Sequence, residues 1–505
     1  MKKTVLIVMI LTIISQITGF GRDLTLAYFY GTSNISDVYL ITLTITGTMF
    51  VFLGTGISTG YIPLLSNLIQ NVNSTEGLKF TNNLINLLLI FSTILITLGL
   101  IFTESIVIVF AYGFDKDALS LAVLFTRISI ISIYFTTMIY IFKGYLQVKD
   151  SFFISTIIGI PLNVLVIISI AVSFSSSVFL LIIGYVFATF VQFFILIIHA
   201  YRKGYRYKTV LDFKDKNIKK LIVIAIPVII GTSVDQINTI VDRTIASQIS
   251  IGGISALNYA YTLTRFALAV VVVSTTTVLF PFLSKKAANS DLLGLKAVLS
   301  NVIVGVILLI IPATLGFMML SEQIVTMLFG RGAFDKEAII MTANALFYYS
   351  IGLIGYALRD IFSSVFYSLQ DSKTPMINAA IAMAMNIILN VILSKYMGIS
   401  GLALATSISA IFCTALLTIS LKRKLGYLGL MSITTSIVKV LASSAVMGMI
   451  IVVLFQFLKL YINLNLSLLI TIVVSSISYF VLIYFMNIKE VNVIVNGFKE
   501  KLISS

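Results

Sequence analysis

The sequence predicts an all-α polytopic membrane protein with fourteen transmembrane helices, organised as two six-helix lobes related by duplication plus two extra C-terminal helices. Three observations carry this prediction. First, 59% of the 505 residues are hydrophobic and only 10% are charged, with a mean hydropathy of +1.09; soluble domains carry roughly 25% charged residues. Second, the apolar runs are long and numerous, and about 20 residues suffice to cross about 30 Å of hydrocarbon. Third, sparse polar marks recur in order. Asp23, Thr25, Ala27, Ile35 and Ser36 return as Asp242, Thr244, Ala246, Ile254 and Ser255, at an offset of 219. Pro63-Leu64-Leu65-Ser66 returns as Pro281-Phe282-Leu283-Ser284, Phe114-Asp115-Lys116 as Phe334-Asp335-Lys336, Leu146-Gln147 as Leu369-Gln370, and Asn163 as Asn386. An ordered series of this kind marks a duplicated unit.

The expected spans are 4–30, 35–68, 79–103, 118–143, 152–173 and 177–200 in the first lobe (1–200), then 221–249, 254–284, 297–320, 337–367, 375–395 and 399–421 in the second (221–424). A basic cytoplasmic linker, 201–220, joins them. Spans 433–458 and 464–486, with a cytoplasmic tail, make up an additional segment, 425–505. Six spans per repeat give both lobes the same orientation and a pseudo-axis along the membrane normal.

The net charge of +15 raises the question of nucleic acid, but its placement answers it. Lys2-Lys3, Lys143 with Lys149, the run from Arg202 to Lys220, Lys285-Lys286, Lys422-Arg423-Lys424 and Lys499 with Lys501 all fall on one side of the span count. The positive-inside rule then puts both termini in the cytoplasm. Charge placed at the ends of membrane spans serves orientation, so no nucleic-acid partner is expected. Met1-Lys2-Lys3 before an apolar run imitates a secretory signal. Lys219-Lys220 before span 7 is its counterpart, where no signal can lie, so the first span is expected to be retained. Cys413 is alone and admits no intramolecular disulfide, and His199 has no Cys or carboxylate at ligand spacing.

A charge inside a span costs about 2.5 to 3.5 kcal/mol on insertion scales, so the few present should face a cavity or a partner. They are Arg22, Asp23, Asp37, Arg127, Asp235, Asp242, Arg243, Arg265, Arg359 and Asp360. A residue required by the fold should occur in both repeats. Arg22 aligns with Val241, Asp37 with Ala256, Arg243 with Leu24 and Arg265 with Thr46, and these unpaired charges are the substrate candidates. Arginines suit an anionic ligand, because a guanidinium grips phosphate through two parallel hydrogen bonds. The alternative is pairing with adjacent acids, as Arg22-Asp23 and Asp242-Arg243 invite. Gly19-Phe20-Gly21 supplies a place for span 1 to bend. Asn386, Asn390 and Ser394 stripe one helix face, and with Thr406 and Asp242 could form an oxygen cage for a small cation such as Na+; interhelical hydrogen bonding is the competing reading. No Walker A loop, His/Cys metal pattern or Ser-His-Asp set occurs, which removes ATPase and hydrolase readings.

Beyond these features the chain resembles the MurJ (MviN) family of lipid-linked peptidoglycan precursor flippases, within the MOP superfamily that includes the MATE exporters. The resemblance rests on Gly19-Phe20-Gly21-Arg22-Asp23, Ser36-Asp37, Tyr61-Ile62-Pro63, Asn258-Tyr259-Ala260, Leu279 to Ser284, Phe329-Gly330-Arg331-Gly332-Ala333-Phe334, Phe366 to Pro375 and Gly401 to Ser407. It implies a lipid II flippase of the bacterial cytoplasmic membrane, not an enzyme, monomeric, working by alternating access and driven by an ion gradient or membrane potential. Its partners would be the lipid-linked glycan precursor and membrane lipids. It further implies that Arg22, Asp23 and Asp37, with Arg265 as a stand-in, meet the head group, that the lipid tail lies in a groove lined by the two extra spans, and that Asp242, Asn386, Asn390 and Thr406 form a sodium site. No other cofactor is implied. The chain departs from the family's cavity arginines at Gln16 and Phe50, and Tyr261-Thr262 replace its Asp-Arg pair. A flippase for another lipid-linked oligosaccharide, such as a capsule or exopolysaccharide unit, and a MATE-type drug/cation antiporter are the alternatives.

Overall fold

A computed structural model describes residues 2–269, 286, 291–426 and 430–486. Pro281 to Ser284, Lys285, the C-terminal part of the predicted span 254–284, the Lys499/Lys501 tail and the Asp235 side chain lie outside the described set. All regular structure among the described residues is helical: α1 (Lys2–Tyr30), α2 (Asn34–Asn71), α3 (Ser74–Ile101), α4 (Thr103–Phe110), α5 (Lys116–Ser129), α6 (Ser132–Val148), α7 (Phe152–Ile157), α8 (Gly159–Ser175) and α9 (Phe179–Arg202). After the linker come α10 (Lys216–Ile249), α11 (Gly253–Leu268), α12 (Leu292–Met319), α13 (Ser321–Phe329), α14 (Lys336–Ile351), α15 (Leu353–Ser368), α16 (Lys373–Met397), α17 (Ile399–Leu425), α18 (Leu430–Leu458) and α19 (Leu464–Phe485).

Among the described residues, eight helices are long and apolar enough to cross a membrane, or ten when each of two bent pairs is one span. The expected fourteen also includes α1, α2 and α10, which are 29, 38 and 34 residues long but carry more polar side chains. The bent pairs are α5 with α6 (44°) and α14 with α15 (45°), the same span of each repeat. In the second, the break falls at Gly352, where a Cβ would stand 2.7 Å from Ser407 Oγ of α17. In the first, the Ile133 and Tyr134 amides turn back to the Ile130 and Ile131 carbonyls, a tightened i to i+3 turn. Outward faces are apolar, as lipid requires: Phe187 and Phe194 on α9, Val453 and Phe457 on α18 and Phe480 on α19 are more than half exposed.

The chain divides into two compact units, Met1–Ser255 with Arg331–Asp335, and Ala256–Gly330 with Lys336–Ser505. Packing therefore groups α10, which the repeat pattern assigns to the second half, with α2 of the first. Thr48 Oγ1 donates to Gln236 Oε1 (3.3 Å), and the Thr55 and Thr232 hydroxyls stand 3.5 Å apart. At one end of this unit the C-terminus of α10 is tied to the last turn of α4 by Thr244 Oγ1 to Val109 O (2.8 Å) and to the loop after it by Gly113 N to Ser247 Oγ (3.1 Å). Segment 331–335 docks beside the end of α1 through Ala333 N to Tyr28 O (2.8 Å). Gly31 and Gly332 make that approach feasible. Both have positive φ, 56° and 63°, and a Cβ would strike Ala333 O and Tyr28 O respectively.

The linker 201–220 is an ordered strap laid on α3. Asn83 recognises its backbone in both directions, donating to Asp212 O (2.9 Å) and accepting from Asp212 N (2.8 Å). Asn82 donates to Arg206 O and accepts from the buried Tyr205 hydroxyl; Asn86 donates to Val210 O and accepts from Tyr207. Asp215 then caps α10 through Asn217 N (2.7 Å).

A second ordered turn joins α15 to α16. Partial burial pushes the Asp371 carboxyl up, but Lys424 Nζ at 2.6 Å, with Thr374 N (3.0 Å) and Thr374 Oγ1 (2.9 Å), outweighs it and holds the group below its ordinary value. A depressed folded pKa gives stability that is present above the unfolded value, about 3.9, and lost as pH falls through the folded one. Lys424→Met is therefore expected to lower the melting temperature at pH 7 and to converge on wild type once the pH has fallen below the lowered pKa of Asp371. A constant offset across that range would show that the ion pair contributes nothing.

Candidate functional site

In the first unit, α1 is continuous through Gly19 and Gly21 and carries Arg22 and Asp23 in its last third. The Arg22 Nε and Nη2 both reach Asp23 Oδ1, at 3.1 and 2.9 Å. Successive residues on a helix face different directions, so this pairing bends the long guanidinium stem back along the helix. Asp23 is only 8% exposed at its side chain and Arg22 29%. The cation thus neutralises a buried acid while keeping an open edge, its Nη1 having no protein partner among the described residues. Tyr39 of α2 and Tyr185 of α9 lie within electrostatic reach of Arg22. The Tyr39 hydroxyl is buried and has no hydrogen-bond partner among the described residues. Buried hydroxyls ordinarily find a partner, so this group stands ready for one. Neither tyrosine was singled out by sequence; each offered a polar tip within an apolar run, a signal diluted among 23 tyrosines.

Asp37 is 1% exposed, and both its oxygens are occupied. Oδ2 accepts from Gly252 N (2.9 Å) and Oδ1 from Ser255 N (2.8 Å), so α2 supplies the cap for the first turn of α11. Arg243 of α10 adds a positive charge within electrostatic reach. This is the geometry of a clamp. In the second unit, Arg265 is exposed on α11, its guanidinium 5.8 Å from the centre of the Tyr261 ring. Tyr261, one of the residues replacing the family's Asp-Arg pair, thus stacks on the candidate substitute. Arg359 pairs with Asp360 at 3.5 Å and lies over Tyr356. Phe50 is buried with its ring 4.8 Å from Tyr140, and Gln16 is exposed on α1.

The oxygen cluster is partly assembled within the second unit. Asn390 Nδ2 donates to Asn386 Oδ1 (2.7 Å), and Asn386 Nδ2 to Thr406 Oγ1 (3.4 Å), with both asparagines buried. Thr406 Oγ1 in turn donates to Leu402 O (2.9 Å). A cation would require these amides to turn their oxygens inward. Ser394, next on the stripe, is bound to its own helix at Val391 O. Asp242 is half-buried on α10, in the first unit. Asn163, the repeat partner of Asn386, binds Ser15 O and Thr18 Oγ1 of α1 instead, so equivalent positions have diverged.

The two extra helices, α18 and α19, form an apolar groove of about 290 Å³ with α12 and α13. Leu309, Gly316, Met447, Ile451, Ile472 and Phe480 line it. The Tyr479 hydroxyl is turned away to Leu308 O (2.7 Å), leaving a surface suited to a hydrocarbon chain.

The model of the family described as lipid II flippase MurJ matches residues 26–479. A Vibrio cholerae protein described as a probable lipid II flippase MurJ is 29% identical over 430 residues, 82% of each chain. A Buchnera aphidicola protein of the same description is 30% identical over 425 residues, 81% of each. Among solved structures, a lipid II flippase MurJ in an inward closed conformation superposes with a TM-score of 0.81 at 26% identity, covering 94% of this chain and 98% of that one. An inward-facing multidrug resistance MATE family transporter of the MOP superfamily gives 0.70 at 13% identity, covering 82% and 95%, which is a likeness of fold alone.

Proposed function

Since the chain belongs to the MurJ family of lipid II flippases, and so is a bacterial inner-membrane transporter rather than an enzyme, we propose that Arg22, with Asp23 and Tyr39, receives the diphosphate end of lipid II. The single observation that carries this is the pairing of a half-open guanidinium with an unpartnered buried hydroxyl within its electrostatic reach. The Asp23 carboxylate holds the guanidinium side-on and leaves its remaining donors for phosphate oxygens. Arg265, stacked on Tyr261, is the second cationic contact, and the α12/α13/α18/α19 groove takes the polyprenyl tail. Asp37 serves as the clamp on α11, which an alternating-access cycle must release. Both termini are cytoplasmic, following the distribution of the basic loops, and the transporter acts as a monomer driven by an ion gradient or membrane potential. Cells depleted of their own lipid II flippase should regain growth and precursor translocation when given this chain. Growth rescued without translocation, or no rescue by a chain that accumulates in the membrane, would defeat the reading.

Asp242, Asn386, Asn390 and Thr406 remain our candidates for a sodium site. The neutral oxygens of α16 and α17 with one carboxylate suit a hard monovalent cation. At sodium about 100 times the dissociation constant, linkage predicts about 2.7 kcal/mol of stabilisation. A higher melting temperature in sodium than in potassium at equal ionic strength is expected, and should vanish in Asp242→Ala. Identical melting in the two salts would reduce the cluster to an interhelical hydrogen-bond set.

A further inference from the structure

The first unit carries another groove, remote in sequence from the extra helices. It measures about 280 Å³ and lies between α3, α6 and α9, with Leu89, Met138, Phe142, Phe193 and Ile197 on its walls. The strap closes one side with three tyrosines, 201, 205 and 207. The Tyr205 and Tyr207 hydroxyls are committed to Asn82 and Asn86, so these residues offer the groove their rings. The lining is hydrocarbon and aromatic.

Arg206 lies against two of the lining tyrosines. Its Nη1 donates to both Tyr201 O and Tyr205 O, each at 2.8 Å, and its guanidinium stands 5.9 Å from the centre of the Tyr201 ring. The side chain is exposed, and Nε and Nη2 have no protein acceptor among the described residues. Exposed Lys203 and Lys208 flank it in sequence. Between 201 and 220 there are eight basic residues and two acids. The two acids are engaged locally: Asp212 accepts from Lys214 N, and Asp215 from Asn217 N and Asn83 Nδ2. Eight basic against two acidic residues leave the strap a net positive charge beside an apolar slot.

We propose that this groove binds one anionic glycerophospholipid, with an acyl chain against Phe142, Phe193 and Ile197 and the phosphate on Arg206. A free phosphate would leave the groove unused, and a zwitterionic lipid would bring its own cation to the basic strap, so charge and shape together select an anionic diacyl lipid. The assignment concerns one unit alone and is independent of how lipid II is moved.

The test uses the purified full chain in detergent, with dioleoyl phosphatidylglycerol, dioleoyl phosphatidylcholine and inorganic phosphate as probes, read by native mass spectrometry and thermal melting. Phosphatidylglycerol should be retained and should raise the melting temperature, while the other two should not. Arg206→Gln should lower its retention about tenfold, the scale of one lost charge-assisted hydrogen bond, and Arg206→Lys should recover part of it. Ile197→Trp, which fills the groove with the cation intact, should also lower retention. Equal binding of the two lipids, equal stabilisation by inorganic phosphate, or unchanged retention in either Arg206→Gln or Ile197→Trp would overturn the proposal.

Discussion

Arg22→Ala is expected to abolish complementation while the protein still accumulates in the membrane. Two charge-assisted hydrogen bonds to phosphate are together worth about 3 kcal/mol or more, so head-group affinity should fall at least about 100-fold. The same substitution strips Asp23 of its counter-charge, and leaving one member of a buried pair unpaired costs about 3 to 5 kcal/mol. Two causes of failure are thus superimposed, and the double variant Arg22→Ala/Asp23→Ala separates them. Removing both charges should return the melting temperature close to wild type without restoring transport. Recovery of transport in the double variant would mean that Arg22 serves only to neutralise its neighbour. Tyr39→Phe, which deletes one buried oxygen with no hydrogen-bond partner among the described residues, should reduce transport with little effect on stability.

A second large stability effect should come from Asp37→Ala. Its carboxylate is the acceptor for two backbone amides at the start of α11, where the helix leaves N–H groups unpaired and its dipole favours negative charge. Losing both bonds and stranding the amides should cost about 3 kcal/mol or more. Asp37→Asn retains only one carbonyl acceptor and should fall between wild type and alanine. Melting temperatures of the three proteins in detergent provide the measurement, and an alanine variant as stable as wild type would remove the clamp. If the clamp also holds one conformation of the cycle, Asp37→Asn should lower transport more than its small loss of stability predicts.

Much of this architecture was legible because lipid imposes simple demands. Backbone groups must be satisfied within each segment, so a long apolar run is a helix, and the described residues hold helices and no strands. The duplication was legible for the same reason: few polar residues survive in such spans, and those that do stand out. Asp115 and Lys116 stand at the start of α5 as Asp335 and Lys336 stand at the start of α14, and both spans bend at matching places. The bend was not legible at Ile130-Ile131, where neither proline nor glycine announces it. Arg22 with Asp23 and the Asn386, Asn390 and Thr406 set were identifiable as polar outliers and do meet their neighbours. The role of Asp37 was not, because its partners are the amides of Gly252 and Ser255, and a backbone amide leaves no mark in a sequence.

The order of residues alone establishes a helical membrane protein with a repeated half and the few charges that merit attention, since each of these follows from local composition and spacing, while its motifs carry the family likeness. Which charge is spent on the protein's own backbone, which hydroxyl is left over, and how a basic linker becomes a strap recognised by three asparagines depend on contacts between residues some 120 to 220 positions apart. Those contacts are made in space, by directed hydrogen bonds whose partners are set by packing.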